Sequence, residues 1–392
     1  MKSFAILGRQ PKIGFAELES LYGTANIEPF SATCCTLNSA LSYRDCQRLG
    51  SVIKVGQVIT VEHYTNWRIL SDQIVSTFKK IAQDKPDGKL QIGISVYGLN
   101  IHGKDIEITG LKVKKTLKAS GRSIRLVPNK NDHLSTAQVL HNKLDGRSGI
   151  EIVVIANGSK VLIGQTIHEQ DINAYTARDQ ARPKRDAYIG MLPPKLGQTI
   201  INLASRQINT TETLLDPFCG TGVILQEALI MGFDVIGTDI NPKMIDYSVK
   251  NIAWIKNEYR RIANQKADIQ LGDATVYEWP NNVTVIAGET YLGQPISMMP
   301  DTEKLTRLIN ETNGLHKKTL ENLAKQLKPG ARLCLAVPAW RTKNGFKHLP
   351  TLDQLDEIGY NRIEFKYAKN RELIYIRDDQ FVGRELVVLT RK

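Results

Sequence analysis

The sequence predicts an α/β protein of two parts, in which a smaller α+β region precedes a doubly wound, mostly parallel sheet. Three observations support this prediction. The chain has 392 residues, of which 42% are hydrophobic, and this is enough for more than one buried core. After residue 195, strands and helices alternate with βαβ spacing. A stretch without hydrophobic periodicity, residues 171–194, separates that region from the shorter units before it.

The elements before residue 170 follow the periodicity of their apolar side chains. A strand is predicted at residues 4–7 and a helix at residues 13–22, where Phe15, Leu18 and Leu21 share one face. An alternating, β-branched run predicts a strand at residues 52–59, and a helix follows around residues 67–81. A second unit is predicted to contain strands at residues 91–96, 123–126, 150–155 and 160–166, and helices at residues 111–119 and 135–144.

The elements after residue 194 alternate regularly to the end of the chain. A helix at residues 195–205 precedes strands predicted at residues 213–216, 234–239, 268–271, 283–287, 332–337, 362–367 and 386–390. This spacing is typical of a doubly wound sheet with helices on both faces. The predicted domain boundaries are therefore residues 1–85, 86–170 and 195–392, with residues 171–194 as a basic linker.

The composition narrows the class of protein. Lysine and arginine number 52 against 40 acidic residues, and the net charge of +12 creates a positive field that attracts polyanions. The net charge alone does not distinguish among three cases: a nucleic-acid partner, an anionic membrane surface as partner, and no polyanionic partner at all. The five cysteines lack the paired spacing of a zinc site or a disulfide framework. With no long apolar run either, we expect a cytoplasmic protein without a metal or a membrane segment; a monomer is favoured.

The chemistry is most visible where the strand at residues 213–216 ends in a glycine turn. Asp216 is followed by Pro217, Cys219, Gly220 and Gly222, and a helix begins at residue 223. The glycines allow a sharp turn and a close approach of the backbone to a nucleotide-like ligand. A carboxylate at this position would repel a pyrophosphate, but it suits a ligand with a cationic ammonium and sulfonium group. This combination predicts S-adenosylmethionine as the cofactor.

Two further carboxylates end the following strands. Asp239 is placed to accept both ribose hydroxyls, and Asp273 to accept from the adenine amino group. Ile240 and Ala274 follow them and complete the predicted cofactor site. A purely structural alternative is that each aspartate caps the helix after it. Three carboxylates at successive strand ends, together with the glycine turn, favour a shared crevice.

These residues carry a resemblance to a known family. The run from Asp216 to Gly222, Asp-Pro-Phe-Cys-Gly-Thr-Gly, resembles the cofactor motif of class I RNA methyltransferases, particularly the THUMP-domain tRNA guanine-N2 methyltransferases. Similar stretches occur at residues 94–98, 117–121, 125–127, 178–196 and 380–385. The resemblance implies a Rossmann-like, seven-stranded methyltransferase domain at residues 195–392. It also implies a ferredoxin-like region at residues 1–85 and a THUMP domain at residues 86–170 that grips tRNA.

The fourth motif departs from that family. Members that methylate an exocyclic amine present Asn or Asp, Pro-Pro and an aromatic residue; the acid or amide accepts the amine hydrogens and the ring stacks on the flipped base. This chain has Glu289, Thr290 and Tyr291, followed by Leu-Gly-Gln-Pro. Glu289 retains an acceptor and Tyr291 retains a ring, so the resemblance implies that these two are the catalytic residues.

A basic stretch lies within the predicted RNA-binding module. By their place in that module and in the linker, the residues predicted to contact RNA are Lys112, Lys114, Lys115, Lys118, Arg122, Arg125, Arg178, Arg182, Lys184 and Arg185. A solvated helix face is the structural alternative for such a charge run.

Three functions remain in competition. The leading hypothesis is methyl transfer from S-adenosylmethionine to an exocyclic amine of a tRNA nucleoside, guanine N2 by family resemblance. A second hypothesis is a non-catalytic or altered-specificity protein that binds the cofactor and RNA, which the altered fourth motif supports. A third hypothesis is a methyltransferase acting on DNA adenine or on a protein side chain; the RNA-type module argues against it.

Overall fold

The computed structural model describes residues 2–146, 148–186, 191–205, 212–294, 296 and 301–392. It contains two compact units. The first unit consists of residues 1–11, 24–47 and 52–173, and the second of residues 12–23, 48–51 and 174–392. The chain therefore enters the second unit twice, through residues 12–23 and 48–51, before its longest segment folds there. The predicted linker lies in both units, and its residues 187–190 are outside the described residues.

The strands and helices are numbered along the chain. The strands are β1 (Ser3–Leu7), β2 (Ile27–Ser31), β3 (Cys34–Leu37), β4 (Val52–His63), β5 (Leu90–Tyr97), β6 (Ile124–Leu126), β7 (Ile150–Asn157), β8 (Lys160–Glu169), β9 (Thr213–Asp216), β10 (Asp234–Asp239), β11 (Ala267–Leu271), β12 (Val283–Glu289), β13 (Arg332–Thr342), β14 (Gly345–Lys347), β15 (Tyr360–Arg362), β16 (Ile374–Tyr375) and β17 (Val382–Arg391). The helices are α1 (Pro11–Tyr22), α2 (Tyr43–Gln47), α3 (Trp67–Gln83), α4 (Gly103–Ala119), α5 (Thr136–His141), α6 (Ile172–Gln180), α7 (Pro194–Ala204), α8 (Val223–Met231), α9 (Pro242–Glu258), α10 (Thr302–Gln326) and α11 (Leu355–Ile358).

The first unit is built on one continuous sheet of eight strands, in the order β2-β3-β1-β4-β8-β7-β5-β6. The antiparallel pair of β4 and β8 joins the strands predicted for residues 1–85 to those predicted for residues 86–170. Helices α3 and α4 contribute Leu70, Phe78 and Val113 to a core that they share with β5 and β7. This packing leaves one side of α4 facing solvent.

The second unit is built on a sheet in the order β11-β10-β9-β12-β13-β17-β15, with β14 and β16 as short additions. The first five strands of this order are parallel, and β17 runs antiparallel to both of its neighbours on this path. The prediction of a doubly wound, mostly parallel seven-stranded sheet is confirmed. The glycine turn lies after β9, where the order of the strands reverses, and ligands bind at such a point in open α/β sheets.

Helix α1 packs in the second unit through buried polar contacts. Glu17 is fully buried, and its carboxylate accepts from the Gly50 amide at 2.9 Å and the Ser51 amide at 3.0 Å. It also accepts from the Asn202 side-chain amide of α7 at 2.7 Å. Ile13 and Ala16 of α1 share a core with α7 and α8. The periodicity of residues 13–22 predicts this helix correctly but does not predict where it packs.

Several predicted boundaries are wrong. The strand predicted at residues 362–367 ends at Arg362, because the amides of Lys366 and Tyr367 donate to the Glu19 carboxylate instead of a neighbouring strand. The segment predicted as an irregular linker contains α6. Sequence analysis also missed the hairpin of β2 and β3, and it began α4 eight residues too late.

Two further observations concern the length of the helices and the state of the cysteines. No helix within the described ranges is long and apolar enough to cross a membrane. All five cysteines are buried and unpaired by disulfides.

Candidate active site

A cavity of about 880 Å³ opens at the carboxyl ends of the second unit's strands. This volume lies at the upper end of the range for small-molecule sites. Its lining includes the glycine turn, the ends of β10 and β12 and the loop that precedes β17. Of the predicted cofactor residues, Asp216, Pro217, Cys219, Gly220, Asp239, Ile240, Asp273 and Ala274 line the cavity, as do the predicted catalytic residues Glu289 and Tyr291.

Asp216 is the most deeply buried of the three carboxylates, at 2% exposed. Its Oδ1 accepts from the Phe218 amide at 3.1 Å, and its Oδ2 has no hydrogen-bond partner among the described residues. Burial raises the pKa of Asp216 well above its usual value, and the neighbouring carboxylates of Asp239 and Glu289 raise it further. A cationic ligand in the cavity would relieve that repulsion. S-adenosylmethionine, the cofactor that the sequence predicts, carries such a positive charge.

The glycine turn has the backbone geometry that a ligand loop needs. Gly220 and Gly222 have φ angles of 52° and 78°, a region that residues with a Cβ atom rarely adopt. A Cβ atom on Gly222 would also lie 2.8 Å from the Ser248 hydroxyl. Gly222 does not line the cavity; it stands at the N-cap of α8 and closes the turn. Cys219 is buried in the turn, and this burial raises the pKa of its thiol well above the usual value.

Asp239 and Asp273 accept hydrogen bonds from nearby backbone amides and also line the cavity. Asp239 accepts from the Gly220 amide through Oδ2 and from the Asn241 amide through Oδ1, both at 2.9 Å. Asp273 accepts from the Thr275 amide at 2.9 Å through Oδ1, and its Oδ2 has no hydrogen-bond partner among the described residues. The N-caps of α8 and α9 are Gly222 and Asn241, so the helix-capping alternative is wrong for Asp216 and Asp239. Each carboxylate oxygen can still accept a further hydrogen bond from a ligand.

Replacing Asp239 by Ala is expected to weaken S-adenosylmethionine binding by about 1–3 kcal/mol, since it removes the ribose acceptor and a support of the glycine turn. Isothermal titration calorimetry measures this. Asp246→Ala, which removes an exposed carboxylate from α9, is the matched control. Equal affinities of the two variants would contradict the assignment of Asp239.

The fourth motif is held by hydrogen bonds in place of prolines. The Thr290 hydroxyl lies 2.7 Å from His316 Nε2, and the Thr290 amide donates to the Ala336 carbonyl at 3.0 Å. His316 Nδ1 lies 2.6 Å from the Thr312 carbonyl, so Nδ1 carries the proton and Nε2 accepts from Thr290. Burial lowers the pKa of His316 to about 4, which keeps the ring neutral. These contacts fix the loop between Glu289 and Tyr291; Pro295, at the end of the quoted motif, lies outside the described residues.

Glu289 has an ion-pair partner that sequence analysis missed. Arg384 of β17 donates from Nε to Glu289 Oε1, and both side chains line the cavity. Burial raises the pKa of Glu289, and the positive charge of Arg384 opposes the rise. Tyr291 is 44% exposed, and Phe381 lines the same cavity. Arg384 lies in the stretch that resembles the family's C-terminal hairpin, but nothing in the sequence indicates that it meets Glu289.

The predicted RNA-binding residues fall into two groups. Arg178 is buried in a 2.6 Å ion pair with Glu227, Arg182 is 3% exposed, and Arg122 donates to backbone carbonyls, including that of Lys85 at 3.1 Å. These three arginines therefore have structural contacts. The remaining seven predicted cations are exposed or half-buried: Lys112, Lys114, Lys115, Lys118, Arg125, Lys184 and Arg185.

Comparison with known families agrees with this geometry. The family described as RMKL-like, methyltransferase domain, matches residues 182–347, and a family described as DNA methylase matches residues 111–250. Residues 182–347, nearly all of which the structure describes in the second unit, are thus similar to a methyltransferase domain. The predicted resemblance to a methyltransferase is thereby confirmed.

Three curated relatives that are similar to this chain share one name. A tRNA (guanine(10)-N2)-dimethyltransferase of Methanothermobacter thermautotrophicus is 29% identical over 41% of this chain and 43% of the relative. Proteins of the same name from Pyrococcus abyssi and Methanocaldococcus jannaschii are 28% and 24% identical, over 56% and 69% of this chain and 57% and 70% of the relatives. The chain thus spans about half the length of the first two relatives.

Solved structures agree at the level of fold. TrmN from Thermus thermophilus covers the whole chain, and the whole of its own, with a TM-score of 0.51 and 15% identity. A protein assigned as a methyltransferase and complexed with SAH covers 100% of this chain and 97% of its own, with a TM-score of 0.51 and 11% identity.

Proposed function

We propose that the protein transfers a methyl group from S-adenosylmethionine to the N2 amine of a guanosine in tRNA. The single observation that carries the proposal is the cavity in which three strand-end carboxylates and the glycine turn meet Glu289 and Tyr291. The names of the curated relatives support tRNA and guanine N2 as the substrate. The non-catalytic alternative is not favoured by these relatives.

Each group of residues has a distinct role in this proposal. When bound, S-adenosylmethionine would supply a methyl group from its cationic sulfur and leave as S-adenosylhomocysteine. Asp216 would face that positive charge, while Asp239 and Asp273 would accept from the ribose and the adenine. Glu289 accepts hydrogen bonds from the target amine, stabilises the positive charge that develops on its nitrogen and takes the proton that the methylated nitrogen loses. Tyr291 stacks on the flipped base, a contact worth about 1–3 kcal/mol.

The exposed cations of the first unit are proposed to bind the tRNA backbone. Lys112, Lys115 and Lys118 lie on the solvent side of α4, and Arg125 is exposed on β6. Lys112 is 3.8 Å from Asp72, so its charge is partly compensated. The division into ferredoxin-like and THUMP domains, the cytoplasmic location and the monomeric state remain predictions.

Neutralising Lys115, Lys118 and Arg125 by glutamine is expected to reduce the slope of log affinity against log salt for tRNA by roughly 2–3, because each phosphate contact releases counterions. Cofactor binding should remain unchanged. Fluorescence anisotropy at several salt concentrations measures the slope. The control replaces Lys318, Lys325 and Lys328 of the second unit, which are also exposed. A slope equal to that of the wild type would show that the α4 cations are solvent-exposed side chains that do not contact tRNA.

The proposed reaction is tested with purified protein, labelled S-adenosylmethionine and an unmodified tRNA transcript. Nucleoside mass spectrometry should show N2-methylguanosine or its dimethylated form. Methyl transfer to another nucleoside would overturn the assignment of guanine N2. Tight binding of cofactor and tRNA without transfer would favour a non-catalytic protein.

A further inference from the structure

The ion pair between Glu289 and Arg384 combines two groups of opposite hydrogen-bonding character. Glu289 is the last residue of β12, and Arg384 lies in β17, two strands away across β13. The register pairs Glu289 with Ala336, and Ala336 with Leu386. Alternate residues of a strand share a face, so Glu289, Ala336 and Arg384 lie on the same face of the sheet. The small side chain of Ala336 leaves space for the pair to meet across the central strand.

Both members of the pair face the cavity that Tyr291 also lines. Glu289 Oε1 accepts from Arg384, while Glu289 Oε2 has no hydrogen-bond partner among the described residues. An ionised carboxylate only accepts hydrogen bonds, and a guanidinium only donates them from five N–H groups in one plane. The pair therefore brings two adjacent acceptor atoms to the cavity, with Oε1 on the side of the donating Arg384 guanidinium.

This order of acceptor, acceptor and donor matches one nucleobase. The Watson–Crick edge of guanine carries two donors, N2–H and N1–H, followed by the acceptor O6. Adenine and cytosine carry a ring-nitrogen acceptor beside their exocyclic amine, and that atom would face a carboxylate oxygen. Such a pair of facing acceptors is unfavourable in a site that excludes water.

We propose that Glu289 and Arg384 together form the edge that selects guanine over adenine and cytosine. The inference rests on the proposed function, since it assigns the base specificity of the same site. Glu289 Oε2 and Oε1 accept from N2–H and N1–H, and Arg384 donates to O6. Glu289 is longer than the Asp or Asn of the resembling motif, and Arg384 fixes its carboxylate at the end of that longer side chain. The target amine is thereby bound by the acceptor that also stabilises its developing charge.

The first test measures binding and does not depend on turnover. Guanosine monophosphate and adenosine monophosphate are titrated into the full chain saturated with SAH, and their affinities are determined by NMR. The wild type should prefer guanosine monophosphate by about tenfold or more, the discrimination typical of a bidentate contact to a base. Arg384→Met should abolish the preference, and Arg384→Lys, which keeps the charge but loses the planar row of donors, should reduce it. Equal affinities for the two nucleotides in the wild type would overturn the inference even if tRNA is methylated.

The second test uses tRNA assembled from two pieces, with guanosine, 2-aminopurine or inosine at the target position. Position 10 is tried first, because the curated relatives are named for it. The base 2-aminopurine keeps the amine but lacks N1–H and O6, so wild-type kcat/KM should fall about a hundredfold or more. Inosine lacks the amine, so it should compete with the guanosine tRNA without accepting a methyl group.

The Arg384 variants separate the two proposals. Arg384→Lys should lower the selectivity, which is kcat/KM for the guanosine tRNA divided by kcat/KM for the 2-aminopurine tRNA. The affinity for S-adenosylmethionine should be unchanged. The control Arg377→Lys changes an exposed arginine that precedes β17 and does not line the cavity. Transfer to guanosine with an unaltered ratio in Arg384→Lys would overturn the inference and retain the proposed function. Absence of transfer from a wild type that still prefers guanosine monophosphate would overturn the proposed function alone.

Discussion

Replacing Glu289 by Gln is expected to lower kcat for tRNA methylation by about a hundredfold or more. Glutamine keeps one acceptor oxygen but loses the negative charge that stabilises the developing cation on the target nitrogen. It also places an amide N–H donor where the carboxylate accepts, and this position faces a donor of the base. Single-turnover transfer of labelled methyl groups to an unmodified tRNA transcript measures the effect.

The affinity for S-adenosylmethionine should change little in this variant, because the cofactor carboxylates are intact. Glu311→Gln, which neutralises an exposed glutamate of α10, is the matched control for the loss of charge. Wild-type rates in Glu289→Gln would remove Glu289 from catalysis.

The pH profile provides a second signature of the same residue. Burial raises the pKa of Glu289, and the transfer step uses its deprotonated form. Wild-type kcat/KM should therefore be full above the raised pKa and fall as the pH is lowered through it. This acidic limb should be absent from the residual activity of Glu289→Gln, and its persistence there would assign the limb to another group.

Replacing Glu17 by Ala is expected to reduce the free energy of unfolding of the second unit by about 2–4 kcal/mol. The carboxylate accepts from two backbone amides and from Asn202, all in the interior of that unit. Removing it leaves buried donors unpaired, and each unpaired donor costs about 1–3 kcal/mol before the structure relaxes. Urea unfolding followed by the fluorescence of the chain's tryptophans measures the loss.

A graded pair of variants makes this prediction specific. Glu17→Gln keeps the size of the side chain and one acceptor oxygen, so it should cost less than Glu17→Ala. Glu311→Ala removes an exposed glutamate from α10 and should change stability by less than about 0.5 kcal/mol. A change no larger than this in Glu17→Ala would show that α1 contributes little to the second unit.

Local sequence patterns predict most of the second unit's sheet and the residues that line its cavity. The strand bounds of β9 and β10 agree with the predicted ranges, because apolar runs closed by turn residues are a local signal. The glycine turn was equally visible, since Gly220 and Gly222 adopt backbone angles that other residues rarely do. Asp216, Asp239 and Asp273 meet because the carboxyl ends of parallel strands form one edge of a sheet. Their convergence follows from topology once the alternation of elements is known.

The substrate side of the site depended on contacts between residues that are far apart in the sequence. Glu289 and Arg384 are separated by 95 residues, and no periodicity indicates that β17 brings them together. Net charge was equally uninformative about individual cations: Arg178 and Lys115 looked alike in the sequence, but one is buried against Glu227 and the other faces solvent. Helix α1 was recognised from its apolar face, yet its packing in the second unit depends on the buried carboxylate of Glu17. A charged side chain acquires its role from the partners and burial that the fold provides, and these are properties of the tertiary structure.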